Sequence, residues 1–276
     1  MDAITLSTAL HLFAIGAACV AAMMFALWLL HLALRNASVV DPGWALGLAL
    51  LGCLYAALGP GFILRRTLIA AMAAFWGLRL GLYLVRRIWG EPEEGRYQHM
   101  RNTWGANIEL KFLIFFEAQA LLDIILSIPF LAACLNPAPH LHWLEVAGVA
   151  LWVVAVLGES VADAQLSAFK AVPAHKGQVC RLGLWNYSRH PNYFFEWLAW
   201  LSYPLIAIDF SGYDPLGWLA LPARICMYWV LVHVSGIPPL EDHMLRSRGE
   251  KFRAYQQRTR AFFPLPTSFP PRAPAP

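Results

Sequence analysis

Arg189, His190, Pro191, Asn192, Tyr193 and Glu196 fall within eight residues of "NYSRHPNYFFEW". Pro191 suits the first turn of a helix. A helix starting there sets Asn192 and Glu196 one turn apart on one face. Its free N–H groups and positive dipole end favour anionic ligands. Arg189 adds a guanidinium able to grip a phosphate with two N–H groups. An interfacial belt of Arg and Tyr would need neither the Asn nor the Glu pointing inward. Upstream, Glu159 and Asp163 are four apart and share one helix face. With Gln165 and Lys170 they suit ribose, amide or phosphate contacts, or else form a solvated helix end. Asp41 stands in "SVVDPGW". It is either a helix N-cap, set extended by Pro42, or an acid at the mouth of an apolar stretch. Arg79 lies inside another such stretch, and its plainer role is an ion pair with Asp123 or Glu117.

These residues have to be held by membrane helices. Charged residues are 14% of the 276, where a soluble domain carries about 25%, and hydrophobic residues are 59%. That excludes a soluble globular domain, a disordered chain and a coiled coil. Apolar stretches near 20 residues, the thickness of the hydrocarbon core, run over 3–34, 43–64, 67–88, 111–135, 143–163, 193–208 and 216–234. The first is too long, and lacks the basic leader, for a cleaved signal peptide. The expected fold is therefore all-α and polytopic, with seven transmembrane helices in one domain over 1–264. Residues 241–264 read as a cytosolic amphipathic helix with Phe252, Tyr255 and Phe262 towards the membrane. The proline-rich 265–276 reads as disordered.

Basic residues orient the chain. With the N-terminus outside, inward-facing segments hold seventeen of the 21 Lys and Arg residues, and outward loops only Arg65 and Arg66. The expected arrangement has the N-terminus outside and the C-terminus in the cytosol. The basic tail adjoins a span and has few aromatics, which argues against nucleic acid. Cys19, Cys53, Cys134, Cys180 and Cys226 are far apart, with no CxxC, so no metal site or disulfide framework is expected. No GxGxxG occurs, which excludes a Rossmann site.

"GLWNYSRHPNYFFEWLAWLSYPL" and, downstream, "SGIPPLEDHMLRSRGEKFRAYQQRTRAFFP" strongly resemble the steroid 5-alpha-reductase family, most of all its bacterial branch. The resemblance covers most of residues 35–264. It implies seven helices in a membrane, here a bacterial inner membrane. It also implies NADPH-dependent reduction of the 4,5 double bond of a 3-oxo-4-ene steroid or similar lipophilic enone. For the cofactor site it implies Asp163, with Glu159 where an asparagine is common, and Lys170 towards phosphate; the sequence's own basic cluster of Lys170, Lys176, Arg181 and Arg189 also suits the phosphates of NADPH. Asn192, Tyr193, Glu196 and Tyr255 complete that set. For catalysis it implies a carboxylic acid near Asp41 and a hydroxyl where Trp76 stands. Tyr83, two turns on from Trp76, is the expected substitute. Hydride attack on an enone builds negative charge on the ketone oxygen, which a donor in a dry site stabilises. To donate, Asp41 would have to be protonated. Two other classes stay open. An S-adenosylmethionine-dependent methyltransferase of the isoprenylcysteine or phospholipid type shares the "RHPxY" entrance, but its cofactor has no phosphates for the basic cluster to neutralise. A transporter would show broken helices in symmetric halves, and none is visible.

Overall fold

The computed structural model describes residues 3–210 and 214–266, with side chains from residue 6 onward. Among these, the regular elements are helices, and one isolated bridge joins Ser188 and Arg260. The principal helices are α1 (Ala3–Leu34), α2 (Val40–Leu58), α3 (Ile63–Ile88), α4 (Gly95–Thr103) and α5 (Ile108–Leu135). Then follow α6 (Trp143–Ala171), α7 (Pro191–Ala207), α8 (Leu221–Trp229), α9 (Ile237–Arg248) and α10 (Glu250–Arg258).

Six helical stretches among the described residues are long and apolar enough to cross a membrane: Leu6–Leu34, Ala37–Leu58, Ile63–Ile88, Ile108–Leu135, Trp143–Ala171 and Pro215–Arg248. In hydrocarbon every backbone N–H and C=O must be satisfied within the segment, and a helix does this by itself. Six such helices fit an integral membrane protein. The expected span over 193–208 corresponds to α7, which is not among the six. It has 17 residues, about 26 Å at ~1.5 Å per residue.

The expected tail helix over 241–264 is two helices. Gly249 parts α9 from α10 at φ +52°, a left-handed conformation that glycine accepts at little cost. Phe252, Tyr255 and Phe262 do not face a membrane. They are 2%, 2% and 4% exposed: Phe252 and Tyr255 pack on each other, and Phe262 sits in a cluster with Phe194, Trp197 and Tyr228. Residues 267–276, most of the proline-rich stretch, lie outside the described residues.

The chain packs as two compact units. The first comprises 1–145 and 203–223, the second 146–202 and 224–276. In the first unit, α2 is mostly buried. Small residues let α3 approach it closely. A Cβ added at Gly77 would lie 2.5 Å from the Ala45 carbonyl and 2.7 Å from the Ala49 Cβ. At one end of this unit, Arg65 is wholly buried and forms an ion pair with the equally buried Glu145. Its guanidinium also donates to the Asn136, Ala138 and His140 carbonyls at 2.9, 3.2 and 3.1 Å. The outward-facing aromatic Phe75 and the side chains of Leu78 and Leu82 give α3 an apolar exposed face.

In the second unit, α6 is tied to the loop that precedes α7. The Trp185 indole donates to the Ala162 carbonyl at 2.9 Å, and the Leu184 N–H to Gln165 Oε1 at 2.9 Å. Gly158 lets the Phe195 ring lie against α6, where a Cβ would sit 2.6 Å from its Cζ.

Candidate functional site

Two clusters hold the residues that the sequence singles out, one in each unit. In the second unit the residues on α6 and the start of α7 come together. Asn192 Nδ2 donates to Asp163 Oδ1 at 3.3 Å. Glu196, one turn on, is buried and its Oε1 accepts the Trp200 indole N–H at 2.9 Å. Glu159, one turn before Asp163, is also buried, while Asp163 is half-buried. Lys170, in the last turn of α6, and Lys176 and Arg181, between α6 and α7, are exposed. Tyr193 stacks on His190, with ring centroids 5.5 Å apart.

Arg189 is engaged elsewhere. Its Nε and Nη2 hold both oxygens of Glu241, at 2.7 and 3.1 Å. Its Nη1 donates to the Gln256 carbonyl at 3.2 Å and to the Thr259 carbonyl. Carbonyls at the C-terminal end of a helix are the negative end of its dipole, so a guanidinium is well placed there. Glu241 further accepts from Gln256 Nε2 at 2.7 Å and pairs with His190 Nε2 at 2.9 Å. Burial, with the Arg189 charge beside it, holds the His190 pKa below its ordinary value, against the opposing pull of Glu241. The Tyr255 hydroxyl donates to the Trp185 and Ser188 carbonyls. Burial raises its pKa. Arg189 and Tyr255 thus fasten the loop before α7 to α9 and α10. Arg181 covers the Tyr255 ring at 5.5 Å.

In the first unit, Asp41 is not an N-cap. It lies inside the first turn of α2, which carries no side-chain cap. Its Oδ1 accepts the Tyr97 hydroxyl at 2.6 Å, and its Oδ2 pairs with Arg96. Both partners come from α4, and Tyr97 is buried. Burial first, and then the Asp41 charge, raise the Tyr97 pKa well above its ordinary value. Tyr83 is 61% exposed, and the partners of Asp41 are Arg96 and Tyr97 rather than Tyr83. Trp76 is buried edge-on against Trp44 at 5.7 Å. The hydroxyl beside Asp41 is that of Tyr97, and neither it nor Arg96 is singled out by the sequence. It stands in the polar loop "EPEEGRYQHMR", outside every span. An aromatic flanked by Arg96 and Arg101 there is the one signal that points to it.

A second set of charges braces the same loop. Arg101 pairs with both oxygens of Glu93 at 3.0 and 3.1 Å, and with Glu109 at 2.9 Å. Glu109 pairs with His31 at 2.8 Å, and Glu93 accepts the Ala37 N–H at 2.8 Å. Burial alone would raise the Glu93 pKa. The Arg101 and Ala37 hydrogen bonds and the Arg101 charge together hold it below the usual carboxylate range.

Asp123 has no such partner. It is fully buried in α5, and neither of its oxygens is hydrogen-bonded among the described residues. The expected pair with Arg79 does not form. No group of three or more His, Cys, Asp or Glu among the described residues could hold a metal ion.

The profile of a family described as protein of unknown function (DUF1295) matches residues 27–259. The chain belongs to the DUF1295 family. No curated protein and no solved structure matches it. The DUF1295 match runs from α1 to the end of α10, so it takes in the Asp41–Tyr97 cluster, the Asp163–Asn192 pair and the Glu241 hub.

Proposed function

We infer that this DUF1295 protein is an NADPH-dependent membrane reductase. Its substrate is a 3-oxo-4-ene steroid or a similar lipophilic enone. The observation that carries the reading is the Asp163–Asn192 hydrogen bond, which joins the two helices whose polar residues suit a nucleotide. The donor set fits. A carboxylate and an amide in contact leave acceptors and an N–H for ribose hydroxyls and a carboxamide. Exposed Lys170, Lys176 and Arg181 provide the positive charge for phosphates. Arg189, held by Glu241, keeps the start of α7 in place and is a positioning residue here. When bound, NADPH supplies a hydride.

The substrate side falls to Asp41, Arg96 and Tyr97. Asp41 accepts from both neighbours, so its oxygens act as acceptors and orient them. The donors left for a ketone oxygen are then the remaining Arg96 N–H groups, joined by the Tyr97 O–H once it turns from Asp41 to the ketone. Charge developing on that oxygen is stabilised by fixed donors more than the neutral ketone is. In this reading α7 is a seventh crossing. The N-terminus lies outside and the C-terminus in the cytosol, in a bacterial inner membrane.

Calorimetry on the detergent-solubilised protein tests the reading. NADPH should bind, and Asp163→Ala with Asn192→Ala should weaken it at least tenfold. Tight binding of S-adenosylmethionine without NADPH binding would replace the reductase by a methyltransferase.

A further inference from the structure

A groove of about 380 Å³ opens on the first unit, lined by Ser38, Arg87, Ile88, Glu91, Pro92 and Glu94. Its volume lies within the about 300–1,000 Å³ of small-molecule sites. Ser38 stands at the start of the apolar stretch Ala37–Leu58, and Arg87 and Ile88 at the end of Ile63–Ile88. The groove therefore sits where hydrocarbon gives way to lipid headgroups. Trp89, next in the chain to Ile88, is 81% exposed, and tryptophan favours that depth.

The polar groups that line it are of two kinds. Arg87 donates one N–H to Glu94 at 2.9 Å and is half exposed, so its other N–H groups are open to a ligand. Ser38 is 1% exposed, and its oxygen accepts the Glu94 N–H at 2.9 Å, which leaves its own O–H to donate. A guanidinium and a hydroxyl suit a phosphate. Glu91 is of the opposite kind. Glu94 is shared between Arg87 and Arg96, whereas Glu91 is exposed and has no ion pair among the described residues. Gly90, at φ +75°, turns the chain after α3, and the Glu91 N–H bonds back to the Ile88 carbonyl at 3.2 Å. Glu91 thus stands just past the C-terminal end of α3, the negative end of its dipole, where a cation is favoured.

A free anion here would meet two carboxylates, and a free cation would meet the Arg87 guanidinium. A ligand that carries both charges a few ångströms apart meets neither penalty. A primary ammonium fits Glu91 better than a quaternary one, because it has N–H groups to donate. The depth of the groove points to a lipid as its source.

We propose that this groove binds the headgroup of a lipid of the phosphatidylethanolamine class. Arg87 and Ser38 donate to its phosphate, and Glu91 takes its ammonium. The site uses no residue of the Asp163–Asn192 pair or of the Asp41–Arg96–Tyr97 cluster, and it does not depend on the reductase reading. Native mass spectrometry of the full-length solubilised protein tests it, with dioleoyl phosphatidylethanolamine, phosphatidylcholine and phosphatidylglycerol titrated separately. The first phosphatidylethanolamine should bind several-fold more tightly than either of the others. Glu91→Gln, at an exposed position, should lower that affinity to the phosphatidylcholine level and leave phosphatidylcholine itself unchanged. Glu91→Lys should turn the preference to phosphatidylglycerol. Free O-phosphoethanolamine at the lipid's concentration should not displace the lipid. Equal affinity for the three lipids, a preference of the parent for phosphatidylglycerol, or parental binding by Glu91→Gln overturns the site. Displacement by O-phosphoethanolamine overturns the lipid as its occupant in favour of a soluble ligand.

Discussion

Glu145 and Asp123 are both carboxyl groups with no exposure, both in the first unit. Glu145 meets the Arg65 guanidinium through both oxygens and also accepts the His142 N–H at 2.9 Å. Asp123 meets no donor. The contrast separates two uses of a buried acid. Where a guanidinium and several carbonyls converge, burial is compensated and the acid fastens a loop, here the 136–145 turn. Where a glycine and two apolar side chains converge, here Gly47, Met23 and Val20, the acid is left with its proton and an unused hydrogen bond. Asp41 and Glu93 belong with Glu145, since each is neutralised by an arginine from the 89–110 loop. Burial therefore says little about the role of an acid in this chain. What its oxygens meet says much more.

Removing one partner of the matched pair should have the largest effect. Arg65→Met strands Glu145 in a dry interior, which costs about 3–5 kcal/mol. Thermal unfolding in detergent should show a large loss, and Arg65→Met with Glu145→Leu should recover most of it. If the single variant is as stable as the parent, the pair carries no weight and the contrast with Asp123 collapses.

The Asp41 pair comes next. Losing one donor to a developing oxyanion typically costs on the order of 100-fold in rate. Tyr97→Phe and Asp41→Ala should each reduce enone turnover by about that factor, with NADPH affinity within a few-fold. Unchanged turnover per folded molecule, with a lowered melting temperature, would move Asp41 wholly to the fastening class beside Glu145.

Glu93 sharpens the comparison through pH. Its folded pKa lies below that of the unfolded chain. The stabilisation from Arg101 is complete above the ordinary carboxylate pKa of about 4.3. It is lost as pH falls through the lower folded value. Acid unfolding of Glu93→Gln should lack that part of the pH dependence. Superimposable profiles for variant and parent would show that Glu93 is not matched in solution.

The smallest effect is expected at Asp123. An uncharged acid without hydrogen bonds loses nothing when replaced by an isosteric amide, so Asp123→Asn should change stability by less than about 1 kcal/mol. Asp123→Leu should be neutral or stabilising, as when an unused polar group gives way to an apolar one. A loss of several kcal/mol in Asp123→Asn would place Asp123 with Glu145 and remove the distinction.

Much of the fold was legible because the signals are local. Six of the seven expected spans correspond to helical stretches long enough to cross a membrane. Pro191 opens α7 where its type suggested, and that places Asn192 opposite Asp163. The tail was less legible. Its helix-forming composition runs through Gly249, but the positive φ there is set by how α9 and α10 fold back. Phe252, Tyr255 and Phe262 have the spacing of a membrane-facing stripe, yet they are buried within the second unit. Arg189 was legible as a cation beside a helix start, and its partner Glu241 was not, since fifty-two positions separate them. Tyr97 was hidden for the same reason, in a loop fifty-six positions from Asp41.

The sequence by itself determined that this is a helical membrane chain. Apolar length and the need to satisfy backbone hydrogen bonds within each segment act over about 20 neighbouring residues. It also determined which residues could carry charge and where along the helices they stand. Only the tertiary structure decided which acid meets which base. Arg65 and Glu145 are eighty positions apart and touch, while Asp123 meets no cation. The physical reason is range. In a low-dielectric interior the interaction of two charges depends on a few ångströms of separation, and helix packing sets that separation.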